Sequence, residues 1–295
     1  MISSLKEKAK DLGFIACGFV KPKRPLYLDQ FEAWIADHKN AGMSWLGRNM
    51  DVRADPTSLL GDCRTIISLA YPYPSQKPGT EDGFTVSRYS QPTEEDYHAR
   101  LKRLCRGLVH VVEETWPGSR SRICVDSAPL LEKSYACASG IGFIGKNNML
   151  IIPEYGSYFY LAEILTTAPI DIASSEPLKN QCGTCTACVD SCPNGALERP
   201  FYLDAAKCLS YLSIEEKGEI DRDVGGKMGD CFFGCDQCQE VCPFNERKSS
   251  RQNCLPSTDA FLEMDDKVFN KRFGKTAFAR AGLEKLKTNI RGIRS

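Results

Sequence analysis

Apolar residues recur along residues 4–12 with the spacing of one helix face, and this stretch runs directly into the apolar segment GFIACGFV. Residues 27–38 repeat the helical period. TIISLAYPY is a short run rich in branched residues, which predicts a strand. The longest helix is predicted to open at Thr93 as N-cap, with Glu95 and Asp96 in its first turn. Leu101, Leu104, Cys105, Leu108 and Val112 then line one face, and Pro117-Gly118 ends it. A strand at SRICVD, a helix over residues 129–139, and strands at NMLIIP and YFYLAEILT follow. Helices alternating with strands predict an α/β layer fold for residues 1–170. The period is lost over residues 168–181 (APIDIASSEPLKNQ), as at a domain boundary.

With 295 residues, 42% of them hydrophobic, the chain can bury one sizeable core and still form a second, smaller domain. Lys and Arg balance Asp and Glu at 38 each, so a polyanionic partner would have to meet a local patch. Residues 271–295 offer one, with eight Lys or Arg against the single acid Glu284; the alternative is a solvated helix face. The N-terminus MISSLKEKAKDLGF lacks the apolar run of a signal peptide, and no window approaches the ~18 apolar residues of a membrane span. These features predict a cytoplasmic protein without a membrane partner.

Cysteine changes the picture most. Nine of fifteen cysteines fall between Cys182 and Cys242, and clustering of this kind points to metal rather than to a disulfide framework. The other six, Cys17, Cys63, Cys105, Cys124, Cys137 and Cys254, read as small hydrophobes. CGTCTACVDSCP sets Cys182, Cys185, Cys188 and Cys192 at the C-x-x-C-x-x-C-x-x-x-C-P spacing of bacterial ferredoxins, in which the fourth thiolate reaches the other cluster. GCDQCQEVCP repeats the end of the pattern with Cys235, Cys238 and Cys242, but Phe232 stands where its first cysteine would be. Two 4Fe-4S sites result. Cys182, Cys185, Cys188 and Cys242 form the first, and Cys192, Cys235 and Cys238 need one more ligand, either Cys208 or Cys231. Paired C-x-x-C motifs also build zinc sites, but two tight three-cysteine runs ending in C-P do not suit a zinc ribbon. This makes residues 171–250 a smaller α+β, ferredoxin-like domain, leaving 251–295 as a basic C-terminal segment. Two one-electron clusters suit a two-electron reduction carried out in single steps.

Gly140, Gly142 and Gly145 spell G-x-G-x-x-G, but they follow a helical stretch and precede a strand, the reverse of the dinucleotide fingerprint. His38, His98 and His110 show no metal-ligand spacing. Asp126 ends the apolar strand ICV and is followed by Ser-Ala-Pro. A carboxyl at a strand end could be desolvated, with a raised pKa, and serve as an acid. Equally, it could cap the following helix.

The segments VDSAPLLEKSYACASGIGFIGKNNMLI, GSYFYLAEILT, CGTCTACVDSCPNGAL, KCLSYLSIE and FGCDQCQEVCPFN, in this order, resemble the epoxyqueuosine reductases, cobalamin-dependent enzymes of tRNA queuosine synthesis. The likeness extends to RADPTSLLGDCRTIISLAYPY, SRYS, DYH and FGKTAFARAGLEKLKTNI. It implies a cobalamin seated between the α/β domain and the cluster domain, fed by two 4Fe-4S clusters and acting on an epoxide in the wobble nucleotide of tRNA. It further implies Asp126, in the D-S/T-A-P motif, as proton donor, Cys208 as the eighth cluster ligand and Cys231 as a spare. Arg53, Tyr89, Asp126, Ser157, Ser210 and Asp236 would line the corrin. An external low-potential electron donor and a monomeric chain complete the expectation. The cobalamin motif D-x-H-x-x-G is absent: at DHKNAG, Asp37 directly precedes His38, which need not bind cobalt. QPTEE at residues 91–95 departs from the family's usual glycine-containing, basic stretch, and the helical-repeat extension of longer members is missing; the basic C-terminal segment could replace it. Two other readings share the cofactors. One is a reductive-dehalogenase-like reductase of a small substrate, and the other an electron carrier or corrinoid-activating protein, which would have no need of Asp126.

Overall fold

The computed structural model describes residues 1–74, 76–172, 176–245 and 251–295. Helix α1 (Ile2–Asp11) buries Leu5 and Ala9 and leads into strand β1 (Ala16–Val20). Helices α2 (Leu28–Ala36) and α3 (Met50–Ala54) precede β2 (Thr65–Pro72), β3 (Lys77–Thr80) and the long α4 (Tyr97–Thr115). Then come β4 (Ser121–Cys124), α5 (Glu132–Ala138), the hairpin β5 (Phe143–Ile144) and β6 (Leu150–Ile151), and β7 (Phe159–Thr166). The sheet order is β1-β2-β7-β4.

Helices and strands form the expected layers, but every neighbouring pair in this sheet is antiparallel. The chain has the expected mixed α/β architecture, with an antiparallel sheet. Strands β2 and β4 run in the same direction, as a helical crossover through α4 allows, yet β7 inserts between them and opposes both. Side chains alternate across the sheet. Ile67, Leu69, Ala162 and Ile164 pack with Leu101, Cys105, Leu108 and Val112 of α4, while Ile66 and Leu165 pack with Leu130 and Tyr135 beside α5. The predicted face of α4 is therefore right, but its cap is not Thr93. Asp96 holds that position, its carboxylate accepting the His98 N–H at 2.9 Å. Glu94 and Glu95 pair instead with Arg100 and Arg103.

In the stretch at 168–181, residues 173–175 lie outside the described residues, and the described remainder carries no helix or strand. Short helix α6 (Ala187–Asp190), the ribbon β8 (Leu197–Arg199) and β9 (Tyr202–Leu203), α7 (Leu209–Ile214), α8 (Arg222–Met228) and α9 (Gln237–Glu240) form the cysteine-rich part. The chain ends with β10 (Arg251–Leu255), α10 (Thr258–Glu263), α11 (Asp266–Phe273) and α12 (Leu283–Arg294). These last elements are not a loose basic tail. β10 pairs in parallel with β3, and Phe261, Phe269, Phe273, Phe278, Leu286 and Ile290 enclose Val86, Phe232 and Phe233 in one core. Phe232, where the ferredoxin pattern would have a cysteine, is fully buried there. Removing a ring from such a core costs about 3–5 kcal/mol. Among the described residues no helix is long and apolar enough to cross a membrane.

Candidate active site

Asp126 follows β4 with φ 55°, in the left-handed region, where the chain turns toward α5. It does not cap that helix: Leu131 occupies the N-cap and makes no side-chain bond. Instead the Asp126 Oδ2 accepts from the Tyr97 hydroxyl at 3.0 Å and lies 3.2 Å from His98 Nε2. The other imidazole nitrogen, Nδ1, is 2.8 Å from Asp96 Oδ1. His98 thus bridges two carboxylates, with the Tyr97 ring stacked on it at 4.0 Å. Burial alone would push its pKa down, but the hydrogen bonds to Asp126 and Asp96 outweigh that and hold it above 6.5.

The same contacts correct the expectation for Asp126 itself. Hydrogen bonding to His98 and Tyr97 outweighs the burial that would raise its pKa, so its carboxyl lies below the ordinary 3.8 and is ionised at neutral pH. The carboxyl nonetheless faces open space, with 64% of the side chain exposed. His98 was missed by the sequence reading because it belongs to no metal motif. The legible signal was the run Asp96-Tyr97-His98 in the first turn of a helix packed beside the strand that ends at Asp126.

A second acid supports the turn. Glu132 Oε1 accepts the Asp126 backbone N–H at 2.6 Å. Burial first, and then the Asp126 charge, push the Glu132 pKa up to about 7. Behind it Glu163 on β7 is fully buried and pushed well above the usual carboxylate range by burial and by Glu132. Neither its oxygens nor the hydroxyl of Ser68, opposite it on β2, make a hydrogen bond of normal geometry among the described residues. A buried carboxyl set against a second carboxyl is held neutral rather than charged.

The pairing of His98 with Asp126 sets a pH window. Asp126, with its folded pKa lowered, contributes stability above 3.8 that is lost as pH falls through the folded value. His98, raised, contributes fully below 6.5 and loses its share as pH rises through its folded value. The expected result is an imidazole titration above 6.5 for His98 by NMR, and an upward shift of the Asp126 carboxyl in His98→Asn. An unmoved Asp126 would disprove the coupling.

Four of the predicted cluster cysteines line one cavity. Cys182, Cys185, Cys188 and Cys242 ring a cavity of about 270 Å³, walled also by Lys146 and Phe244. The Cys242 thiol is perturbed by Cys182 and Cys185, and Cys188 by Cys182 and Cys242. Burial pushes the Cys238 thiol up, with Cys235, Cys208, Cys188 and Cys192 adding to it, and burial likewise raises Cys208, with Cys192 adding to that. The buried Cys231 thiol lies 3.5 Å from the Phe233 carbonyl and 3.6 Å from that of Gly234. Among the described residues no three His, Cys, Asp or Glu side chains close on one point as a single ion would require. Cys182, Cys185, Cys188 and Cys242 instead surround a volume suited to a larger group.

Of the residues expected to line a corrin, Tyr89 is half-buried and stacks on Phe233, and Ser210 is half-buried on α7. Arg53 is nearly enclosed, its guanidinium 5.7 Å from the centre of the Phe31 ring. The other two lie deeper. Ser157, 1% exposed, bonds Gln239 at 2.9 Å, with Asn245 holding both its N–H and its hydroxyl. Asp236, 2% exposed, accepts the Arg88 N–H at 2.8 Å and its guanidinium at 3.1 Å. Both join segments of the fold and have no free face for a ligand. Gly142 and Gly145 likewise pack against Ile151 of their own hairpin. Lys133 Nζ donates to the Asn148 carbonyl at 2.8 Å, and burial lowers its pKa, opposed by Asp126, Glu132 and Cys238.

Residues 181–245 match the 4Fe-4S double cluster binding domain, and residues 53–127 match the family described as epoxyqueuosine reductase QueG, DUF1730. An epoxyqueuosine reductase of Cellulophaga algicola is 35% identical over 299 residues, covering 97% of this chain and 95% of its own. The chain belongs to the epoxyqueuosine reductase family. As an epoxyqueuosine reductase it is an oxidoreductase with a double 4Fe-4S cluster domain. The structure of the reductase from Streptococcus thermophilus is similar over 99% of this chain and 80% of that one, at 29% identity and TM-score 0.87. A reductase crystallised with a tRNA-Tyr epoxyqueuosine-modified stem loop is similar over the same shares, at 28% identity and TM-score 0.84.

Proposed function

We infer that this chain reduces epoxyqueuosine to queuosine in tRNA, with electrons passing singly from two 4Fe-4S clusters to a bound cobalamin. Removing the epoxide oxygen as water consumes two electrons and two protons. The observation that carries the reading is the Asp126 carboxylate, exposed at a strand end and hydrogen-bonded to Tyr97 and His98. The first cluster is assigned to Cys182, Cys185, Cys188 and Cys242 and the second to Cys192, Cys208, Cys235 and Cys238. Exposed Asp126 and Lys133, with Glu132 bonded to the Asp126 backbone, are assigned to meet the cobalamin. Arg53, Tyr89 and Ser210 are the remaining residues assigned to hold it. Cobalamin, when bound, supplies the low-potential metal centre that delivers electrons to the substrate.

The chain's own part is position and protons. Protonated His98 holds a proton on Nε2 against Asp126 Oδ2, so the carboxyl can receive it and pass it to the oxygen leaving the substrate. Glu132 fixes the backbone that presents Asp126. We assign the domains as residues 1–170 for the cofactor and catalysis and 171–250 for the clusters, with 251–295 packed across both. A monomer in the cytoplasm, supplied by an external low-potential donor, completes the proposal. The direct test incubates epoxyqueuosine-containing tRNA with the reconstituted protein, cobalamin and dithionite, followed by nucleoside analysis. Queuosine is the expected product. Its absence, with both cofactors bound, would reject the reading.

For tRNA contact the packing selects among the basic residues. Lys285, 8% exposed, donates to the Gly218 carbonyl at 3.2 Å and cannot face a phosphate. Arg272, Lys275 and Arg291 are exposed, and Arg280 reaches far enough to perturb Asp126. Replacing Arg272, Lys275 and Arg291 with Ala is expected to weaken tRNA binding and flatten its salt dependence by about one unit of slope per lost contact. Lys285→Ala is expected to lower the melting temperature and leave the slope alone. The opposite pattern would return the tail to a solvated face.

A further inference from the structure

The turn joining β5 to β6, residues 145–149, touches both cysteine loops. Lys146 Nζ donates to the Gly183 carbonyl at 2.7 Å and to the Cys185 carbonyl at 2.8 Å. The next residue, Asn147, is 6% exposed and donates to the Cys238 carbonyl at 3.1 Å. The third, Asn148, gives its carbonyl to Lys133. Backbone bonds from Gly145 to Met149 and from Asn148 to Gly145 already close the turn, so the turn does not itself require the Lys146 ammonium. Its position is asymmetric: a charged donor grips the first cysteine loop, while a neutral amide grips the second.

We propose that Lys146 tunes the first cluster, raising its reduction potential so that an external donor can reduce it. The proposal rests on the double-cluster reading. A cubane held by four thiolates is anionic and gains a further negative charge with each electron. Lys146 walls the cavity ringed by Cys182, Cys185, Cys188 and Cys242, and a fixed positive charge there favours the reduced form. Cys185 is the exposed member of that ring, so this is the cluster nearer to solvent and to an incoming electron.

The test is an anaerobic titration of the reconstituted holoprotein with dithionite, followed by electron paramagnetic resonance, with iron content measured in parallel. Lys146→Gln keeps a donor for the carbonyls but drops the charge. At a fixed potential it is expected to lower the reduced-to-oxidised ratio of one cluster about three- to tenfold, roughly 30–60 mV at 59 mV per tenfold. The other cluster should not move, and Lys146→Arg should behave as the unaltered protein. The same shift is expected in a Cys208→Ser background, where only the first cluster remains. Full iron with unmoved potentials in Lys146→Gln would overturn the proposal. So would loss of one cluster from Lys146→Gln but not from Lys146→Arg, since the lysine would then hold the loop rather than tune the cluster. Failure of the unaltered protein to take up iron would instead reject the double-cluster reading itself.

Discussion

Asp126→Asn is expected to fold, keep both clusters and bind cobalamin, while turnover of epoxyqueuosine in tRNA falls on the order of 100-fold or more, the share that general acids contribute. Asparagine retains an oxygen that can accept from Tyr97, and it tolerates the left-handed backbone found at φ 55°. It cannot receive a proton from His98 and pass it on. His98 would also lose a carboxylate partner, so its titration should move down from its raised position. Asp126→Ala adds a different fault, because alanine in the left-handed region costs roughly 1–2 kcal/mol. The comparison therefore separates chemistry from folding. Normal turnover in Asp126→Asn, with only a lowered melting temperature in Asp126→Ala, would leave Asp126 as a structural residue and the mechanism without its acid.

The second large effect concerns iron. The anaerobically reconstituted protein is expected to carry about eight irons. Cys208→Ser should lose about half of them, along with one of two paramagnetic signals, and Cys231→Ser should lose none. The reason lies in what each thiol meets. Cys208 feels Cys192 and adds to the raised pKa of both Cys235 and Cys238, whereas Cys231 feels Cys235 alone among the cysteines and lies against the carbonyls of Phe233 and Gly234. Serine at position 231 can still donate to those carbonyls. If Cys231→Ser loses a cluster and Cys208→Ser keeps both, the eighth ligand has been assigned to the wrong residue.

Much of this was legible in the chain itself, because it depends on spacing. The period of α4, the branched runs of β2 and β7 and the two cysteine runs are local patterns, and each forms where its pattern lies. Asp126 stood out for a local reason too, as an acid closing an apolar strand. Other features arise only when distant segments meet. The antiparallel sheet follows from β7 entering between β2 and β4, and no residue of β2 or β4 announces that. Whether Cys208 or Cys231 completes the second site depends on what each thiol meets in the fold, which spacing does not encode. The basic C-terminal segment looked like a charged face until its phenylalanines closed on Phe232 and Phe233, burying Lys285 among them. Most telling is Asp126 itself. Its sequence neighbours suggested a desolvated, protonated acid, but α4 brings Tyr97 and His98 against it, and two hydrogen-bond donors outweigh burial. Spacing determined which residues carry the chemistry; tertiary contact decided their charge, because a pKa is set by whichever groups come to lie beside it.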